Sequence, residues 1–355
     1  MRTMNVLVIE SSVKWAENLT LVGCNTYYID YRKKLGGRYN VDSSKVNFIP
    51  LDCDRSSSFY KRYKAFSKVV SKYNITHVLT ARKDDVVMAF ICKMLRHRKL
   101  ICISTNHNSY AWVNSKQVWI YSKLLKYTTD AYFSLAMFVT KQLVKNGYSG
   151  NKILQVANTV SGIEPKTSWE IKGNAPNIIY VSQVYSGKRQ LVLLEAINRV
   201  KSRYPSIHAT IYGNVIEEEY NDLLKQYIIK NNLQKNITLY GVIDNIELLR
   251  LLPTYDIYIS PSIMEMNPNN LLEAGAAKIP VIAVRTSGVV DVIEDGVTGL
   301  LFEKDDVAAC AEGLVRLIED SDLRKTLGEN LYNVVSVKNS PEYQGNLMWN
   351  FMKKL

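Results

Sequence analysis

Short apolar runs alternate with longer amphipathic segments along this chain, and the alternation occurs twice. Runs rich in β-branched and aromatic residues predict strands, and stretches with a helical period separate them. A polar stretch rich in Gly, Pro, Ser and Asn, residues 158–177, interrupts the rhythm before it starts again. This alternation is typical of a mainly parallel sheet with helices on both faces. We therefore predict an α/β protein of two doubly wound, Rossmann-like domains that face each other across a cleft.

The pattern also gives approximate boundaries. The predicted strands are residues 6–9, 27–30, 46–51, 77–80, 100–104 and 131–134 in the first half, and 178–181, 207–213, 237–240, 257–260 and 281–284 in the second. The clearest helical patterns before the polar stretch are 57–73, 86–95, 113–126 and 139–145. The predicted domains are an N-terminal domain (1–160), a linker (161–177) and a C-terminal domain (178–338). An amphipathic stretch at 343–352 predicts a final helix within 339–355.

Composition narrows the class of protein. A chain of 355 residues exceeds what one core commonly supports, which favours two domains. The apolar stretches are too short to span a bilayer, and the N-terminal run ends at Glu10 without a cleavage site, so it predicts a first strand and not a signal peptide. The five cysteines are scattered and never form C-x-x-C, which disfavours disulfides and zinc sites. We therefore expect a cytoplasmic protein with reduced thiols.

The positive charge is concentrated in the first half of the chain. Residues 1–165 hold 25 Lys and Arg against 10 Asp and Glu, a surplus of 15, whereas the remaining residues hold 20 against 23. An asymmetry of this size suggests that the first domain faces an anionic partner, such as a membrane surface or a phosphorylated polymer. A nucleic acid is not expected, because no helix-turn-helix, zinc or RNA-recognition signature accompanies the charge.

Two glutamates stand eight residues apart around a Pro-Asn-Asn turn in the segment "SIMEMNPNNLLEAGAAKIP". Pro268 prevents a continuous helix between Glu265 and Glu273, so one lies in a loop after a strand and the other in the helix that follows. Asn269 or Asn270 suits the N-cap of that helix. Amides at a helix start favour a diphosphate, and carboxylates on either side suit hydroxyl groups. The alternative is that both glutamates are solvated groups near a helix start.

The segment "SPSIMEMNPNNLLEAGAAKIPVIAVRTSGVVDVIEDGVTGLLFE" closely resembles the donor-site signature of family 4 retaining glycosyltransferases, which have the GT-B fold. The E-x7-E motif of that family falls on Glu265 and Glu273. Upstream, "IIYVSQVYSGKRQLVLLEAI", "IHATIYGN" and "NITLYGVID" are similar to the strands and loops of the same domain. The resemblance covers roughly residues 130–335. It implies that the C-terminal domain binds a nucleotide-sugar, that the basic N-terminal domain binds the acceptor, and that the final helix crosses back to the N-terminal domain.

The resemblance implies a role for each matching residue. Glu265 would hold hydroxyls of the transferred sugar, and Glu273 would hold the nucleotide ribose. Lys188 matches the lysine that neutralises charge on the leaving diphosphate, as preorganised positive charge does in such transfers; the alternative is a solvated Lys-Arg pair. The remaining donor-binding positions are Gln183, Arg189, Gly213 and the backbone around Asn267, Pro268, Asn269, Asn270 and Leu271.

Three positions depart from the family pattern. Gln183 stands where the family usually has a phosphate-binding arginine, and Arg189 could compensate for the missing charge. The loop "ESSVKW", residues 10–15, replaces the paired glycines that many relatives carry after strand one. Lys278 replaces a glycine that usually ends the helix.

Other polar residues are weaker candidates. His107 resembles the histidine near the reacting sugar in many relatives, where it would hydrogen-bond the sugar or acceptor; the alternative is a structural histidine. The D-x-D sequence at residues 52–54 superficially matches a metal motif of another fold, and we do not expect a metal there. Asp305 and Asp306 suggest the cap of a following helix.

Two stretches of the first domain combine lysines with aromatic residues. Lys61, Lys64, Lys68 and Lys72 recur at helical spacing, and residues 110–127 form a second amphipathic stretch with two Trp. Basic faces with aromatic edges are used by interfacial helices. The alternative is a solvated basic face with ordinary core aromatics. With the charge surplus, the pattern favours reversible contact with an anionic membrane or acceptor.

Together, these features predict a retaining hexosyltransferase that moves a sugar from a nucleotide-sugar, with a UDP-sugar favoured, to a hydroxyl of an envelope glycan or lipid-linked, anionic acceptor. No cofactor or metal is expected if Lys188 and helix-start amides neutralise the phosphates. The expected location is cytoplasmic, at the inner face of the plasma membrane of a bacterium. The alternatives are a nucleotide-sugar epimerase or hydrolase of the same fold, and a catalytically silent subunit that stabilises a partner.

Overall fold

The protein folds into two compact units, each built around its own sheet. The structure is a computed structural model that describes residues 4–10, 13–31, 44–105 and 115–355. Unit 1 comprises Met1–Thr159 together with Ser340–Leu355, and unit 2 comprises Val160–Asn339. The chain therefore passes from unit 1 into unit 2 and back again.

Unit 1 contains a parallel sheet that has seven strands in the described part of the chain. The strands are β1 (Asn5–Ile9), β2 (Asn25–Ile29), β3 (Asn47–Phe48), β4 (His77–Thr80), β5 (Ile101–Thr105), β6 (Ala131–Ser134) and β7 (Ile153–Gln155). The helices are α1 (Val13–Leu21), α2 (Phe59–Lys72), α3 (Lys83–Leu95), α4 (Ser115–Thr128) and α5 (Met137–Lys145). The strand order is β3-β2-β1-β4-β5-β6-β7. Because right-handed crossovers are the rule, the reversal at β1 places α2, α3 and α4 on the face opposite α1.

Unit 2 repeats the same architecture. Its strands are β8 (Asn177–Val181), β9 (His208–Tyr212), β10 (Ile237–Gly241), β11 (Ile257–Ser260), β12 (Val281–Val284) and β13 (Leu300–Phe302), in the order β10-β9-β8-β11-β12-β13. Its helices are α6 (Gln190–Val200), α7 (Glu218–Lys230), α8 (Asn245–Leu251), α9 (Asn269–Ala276), α10 (Val307–Glu319) and α11 (Ser321–Lys338), after which α12 (Pro341–Met352) returns to unit 1. The predicted doubly wound architecture is confirmed for each unit. None of the helices described is both long and apolar enough to span a bilayer.

The strand prediction differs from the structure mainly at the sheet edges. The short edge strands β7 and β13 were not predicted, because three residues carry too little periodicity to stand out from a loop. The predicted strand at 46–51 contracts to Asn47–Phe48, which pairs on one side only, with β2. Central strands pair on both sides and match their predicted positions within a residue or two.

Helix α12 packs against α1 within unit 1. Ser340 caps it by accepting a hydrogen bond from the Tyr343 amide, and the Gln344 side chain accepts one from the Ala157 amide at 3.0 Å. At Gly345 a Cβ would lie 2.3 Å from the Asn18 carbonyl oxygen, so the two helices approach closely. Where the chain enters and leaves unit 2, the Val160 amide donates to the Asn339 carbonyl at 3.1 Å.

The polar stretch predicted as a linker is bonded to unit 2. The Lys166 ammonium is buried and donates to the Tyr255 carbonyl at 2.7 Å. The Trp169 indole donates to the Lys278 carbonyl at 3.1 Å, and Arg324 donates to the Trp169 carbonyl at 2.8 Å. The composition of this stretch identified irregular structure, but these long-range contacts leave no local signal in a sequence.

A buried cluster of charges lies at the carboxyl end of β1 in unit 1. Glu10 adopts a left-handed backbone (φ 45°), and Arg55 contacts both of its carboxylate oxygens at 2.9 Å. Arg55 also contacts the fully buried Asp85 at 2.5 and 2.9 Å, and Asp84 at 2.9 Å. Burial raises the pKa of Asp85 to about 6, against the lowering effect of Arg55. The sequence did not predict this cluster, whose members lie in three separate segments of the chain.

Replacing Arg55 with methionine is expected to destabilise unit 1 by about 3 kcal/mol, because Glu10 and Asp85 would remain buried without their counter-ion. The loss should be largest above pH 6, where Asp85 is ionised in the wild type, and smaller at pH 5, where its raised pKa keeps it protonated. Urea unfolding at both pH values measures this. Arg82→Met is the control, since the exposed Arg82 lies 3.8 Å from Asp84. Equal losses in the two variants would contradict the assignment.

Candidate active site

The loop that joins β11 to α9 places Glu265 at the carboxyl edge of the sheet in unit 2, where open α/β sheets bind ligands. The Glu265 carboxylate forms an ion pair with Lys188, with 2.6 Å between Oε1 and Nζ. Both side chains are largely buried, with 17% and 16% exposed. The structure thus brings together two residues that lie 77 positions apart and that the sequence predicted for one site.

Lys188 ends a single turn of 3₁₀ helix, Ser186–Lys188, that follows β8. The buried Tyr180 hydroxyl donates to the Lys188 carbonyl at 2.8 Å, which fixes the backbone beneath the side chain. The Ile263 amide donates to the Gly187 carbonyl at 3.3 Å. This bond joins the loops after β8 and β11, so the backbone carrying Lys188 is linked to the backbone carrying Glu265.

The prediction that Asn269 or Asn270 caps α9 is wrong. The cap residue is Pro268, whose side chain cannot accept a hydrogen bond, and the Asn270 side-chain amide instead donates to the Val181 carbonyl at the end of β8. The helix start is therefore fixed to the neighbouring strand. No cap side chain accepts a hydrogen bond from the first turn of α9, and amides left free at a helix start suit an anion.

Glu273 lies one turn into α9 and is half-buried. Burial raises the pKa of the Tyr258 hydroxyl well above its usual range, and the negative charges of Glu273 and Glu265 raise it further. That hydroxyl donates to the Val181 carbonyl at 3.3 Å. The two glutamates therefore influence one buried group and flank the same strand ends.

Arg189 has a left-handed backbone (φ 52°) and forms an ion pair with Asp305, with 3.2 Å between Nε and Oδ1. The buried Gln190 side chain donates to the Gln183 carbonyl at 2.8 Å, which positions the segment that carries Gln183. Asp306 caps α10 by accepting from the Ala309 amide, which confirms the predicted cap. Arg189 is thus held near the carboxyl edge by an acidic partner that the sequence did not link to it.

Two glycines allow the site loops to pack closely. At Gly213 (φ 150°), a Cβ would lie 1.7 Å from the Ser182 carbonyl oxygen in the loop after β8. At Gly288, a Cβ would lie 2.3 Å from the carbonyl oxygen of Glu265. Gly288 therefore supports the backbone of the loop that carries Glu265. Sequence analysis missed it; the signal was a glycine soon after β12 in "RTSGVV".

Some predicted site residues lie outside the described part of the chain, and others have a structural role. His107 and the serines of the loop after β1, Ser11 and Ser12, lie outside the described residues. The Asp54 carboxylate accepts hydrogen bonds from the Ser56 and Ser57 amides, both at 3.1 Å, and so shapes a turn. Within the described ranges, no group of three or more His, Cys, Asp or Glu side chains is placed to hold a metal ion.

Comparison with known proteins places a family match on the unit that holds this site. Residues 164–334, most of unit 2, match the sequence model of "Glycosyl transferases group 1". An uncharacterised 41.2 kDa protein in the cps region of Klebsiella pneumoniae is 27% identical over 259 residues, which is 68% of each chain. The capsular polysaccharide biosynthesis glycosyltransferase CapM of Staphylococcus aureus is 26% identical over 151 residues, 42% of this chain and 39% of CapM.

Solved structures identify the fold over the whole chain. The crystal structure of Anabaena HepE in complex with UDP and glucose superposes on this chain with a TM-score of 0.77. The aligned region covers 99% of this chain and 100% of the HepE chain. Sequence identity is 14%, so the similarity is one of fold. The two units together form the GT-B fold, as predicted.

Proposed function

We propose that this chain is a retaining, group 1 glycosyltransferase of polysaccharide biosynthesis, similar to family 4. The observation that carries the proposal is the Lys188–Glu265 ion pair beside the start of α9, within the segment that matches the family. This arrangement combines a cation for a leaving phosphate with a carboxylate for sugar hydroxyls. The similarity to CapM supports an envelope polysaccharide as the product.

The donor we propose is a nucleotide-sugar, with a UDP-sugar favoured because HepE was solved with UDP and glucose. The backbone around Asn267–Leu271, where α9 begins, would hold the distal phosphate. Glu265 would accept hydrogen bonds from the sugar and Glu273 from the ribose. One carboxylate at each end of the phosphate site explains their separation along the chain.

In the reaction we propose, the acceptor oxygen attacks the anomeric carbon on the face that the diphosphate leaves. The bond from that carbon to the phosphate oxygen breaks, and its electron pair passes to the diphosphate. A phosphate oxygen takes the acceptor proton. Lys188 stabilises the negative charge on the diphosphate. Glu265, which forms an ion pair with Lys188 in the structure, then also accepts hydrogen bonds from the sugar hydroxyls.

Supporting roles fall to four further residues. Arg189, held by Asp305, would supply the positive charge that Gln183 lacks. Gly213 would line the donor site at the end of β9, where its lack of a side chain lets the loop after β8 pack closely against it. We also propose that His107 hydrogen-bonds the sugar or the acceptor. No step requires a metal or cofactor.

The acceptor we propose is a hydroxyl of an envelope glycan or lipid-linked precursor, bound by the basic unit 1 at the inner face of the plasma membrane.

A catalytically silent subunit is the second candidate, because Gln183 and the altered loop after β1 depart from the family pattern. An epimerase would need a paired acid and base on unit 1. Thermal unfolding with nucleotide-sugars distinguishes the transferase from the silent subunit.

Thermal unfolding with a panel of UDP-, GDP-, ADP- and TDP-sugars tests the donor site. One nucleotide should raise the melting temperature selectively, since a ligand at 100 times its dissociation constant stabilises the folded state by about 2.7 kcal/mol. Glu273→Ala should abolish this shift while melting normally without ligand. If no nucleotide-sugar stabilises the wild type, the transferase proposal gives way to the silent subunit.

A further inference from the structure

A groove of about 550 Å³ opens on the outer face of α2 in unit 1. It is lined by the side chains of Lys64, Lys68 and Lys72, by Tyr60 and Tyr63, and by Arg96 at the end of α3. The lysines follow one exposed stripe, whereas the opposite side of α2 is buried. The groove belongs to unit 1, whereas the proposed donor site belongs to unit 2.

The cations of the groove have no acidic partner among the residues that the structure describes. In the part of the chain that the structure describes, no carboxylate lies within ion-pair distance of Lys64, Lys68, Lys72 or Arg96. The neighbouring Arg62, by contrast, is buried and paired with Asp84 at 2.6 Å. Residues 55–129 contain 15 Lys and Arg and only two acids, Asp84 and Asp85, both of which are paired with arginines. The field around the groove is therefore strongly positive and suits a phosphate.

Apolar side chains stand exposed around these cations. Tyr60 is 63% exposed and lies under the Lys64 ammonium, with 4.7 Å from Nζ to the ring centroid. Met94 and Leu95, immediately before Arg96, are 58% and 70% exposed. A soluble polyanion would bind the lysines but gain nothing from exposed Leu and Met side chains. A bilayer surface satisfies both, since headgroups attract the cations and the interface takes up the apolar rim.

The same pattern continues on α4, which packs beside α3 on this face of the sheet. Trp119 is 53% exposed and Tyr127 is 71% exposed. The ammonium groups of Lys123 and Lys126 lie over their rings, each 5.8 Å from the centroid. Aromatic rings paired with lysines are typical of the membrane–water interface.

We infer that the face formed by α2, the end of α3 and α4 binds an anionic phospholipid surface, and that the α2 groove takes a lipid headgroup phosphate. The inference deepens the membrane location in the proposed function but rests on unit 1 alone. Several lysines with an apolar rim give reversible attachment, because each cation near the surface contributes only modestly. The phosphate of a lipid-linked acceptor has the same chemistry as this headgroup.

Vesicle flotation tests the inference. At 0.1 M salt the wild type should float with vesicles of phosphatidylcholine and phosphatidylglycerol and not with phosphatidylcholine alone. The triple variant Lys64→Gln, Lys68→Gln, Lys72→Gln should bind the anionic vesicles on the order of 100-fold more weakly, from about fivefold per lysine. The matched control, Lys172→Gln, Lys230→Gln, Lys235→Gln, removes the same charge from exposed positions of unit 2 and should bind nearly as the wild type does.

Three outcomes would overturn the inference. Equal losses in the two triple variants would show that only net charge matters. Binding of the wild type to dextran sulfate but not to vesicles would indicate a soluble polyanion. Unchanged flotation of the double variant Met94→Ser, Leu95→Ser would show that the apolar rim plays no part in binding. Nucleotide-sugar stabilisation should persist in the groove variant, so failure here leaves the donor assignment untouched.

Discussion

Alanine in place of Lys188 is expected to slow sugar transfer by about 10²–10³-fold at saturating donor, which is the usual loss when one preorganised charge-stabilising group is removed from an active site. Lys188 lies 2.6 Å from Glu265 and is held by a loop whose backbone is bonded on two sides. In the proposed reaction the cation acts on charge that develops as the diphosphate leaves, so the rate should fall more than donor affinity does. Release of nucleoside diphosphate, measured with the donor found by thermal unfolding, gives both quantities.

Two variants separate charge from structure at this position. Lys188→Arg keeps the positive charge and should retain more activity than Lys188→Ala. Arg189→Ala should cause a smaller loss, because Arg189 is more exposed and shares its charge with Asp305. If Lys188→Ala transfers sugar at the wild-type rate, Lys188 plays no part in the chemistry. An unchanged rate in Arg189→Ala would show that nothing replaces the charge missing at Gln183.

The largest stability loss is expected from Gly213→Ala, at about 5 kcal/mol, the upper end of single substitutions. A Cβ at Gly213 would lie 1.7 Å from the Ser182 carbonyl oxygen and 2.5 Å from its carbon, and both are backbone atoms. The backbone at Gly213 also has φ 150°, a conformation that other residues rarely adopt. The melting temperature of unit 2 should fall by about 10–20 °C in calorimetry.

Gly173→Ala is the matched control for that substitution. Gly173 also has a positive φ, 61°, but a Cβ there meets no atom within 4 Å. It should cost only about 1–2 kcal/mol, from backbone strain alone. Similar losses in the two variants would mean that the contact with Ser182 contributes little.

Local patterns were enough to predict most of this fold. Central strands such as β8 and β11 are continuous apolar runs, because both faces of a parallel sheet are covered. The placement of Glu265 in a loop and Glu273 in a helix followed from Pro268, which separates the two structures. The placement of Lys188 and Glu265 in one site was expected only through the family resemblance, and their ion pair was not predicted, since no local rule joins residues so far apart.

What the sequence did not predict depends on contacts between distant segments. Arg55 lies in a loop, and only the folded sheet brings it to Glu10 and Asp85. Gly288 packs against the backbone of Glu265, and this contact leaves no signal in the local sequence around the glycine. The α9 cap was mispredicted for the same reason, because the Asn270 side chain bonds a neighbouring strand that local capping rules do not consider.

Unit 2 is an insertion between two segments of unit 1. Its two ends meet at the hydrogen bond from the Val160 amide to the Asn339 carbonyl. An inserted domain with adjacent ends can change or be exchanged without opening its host, because the host chain needs only a short closure. Under the proposed function, the loops of unit 2 that select a nucleotide would therefore diverge independently of the surface that selects an acceptor. This topology would suit the evolution of many donor and acceptor pairings from one scaffold.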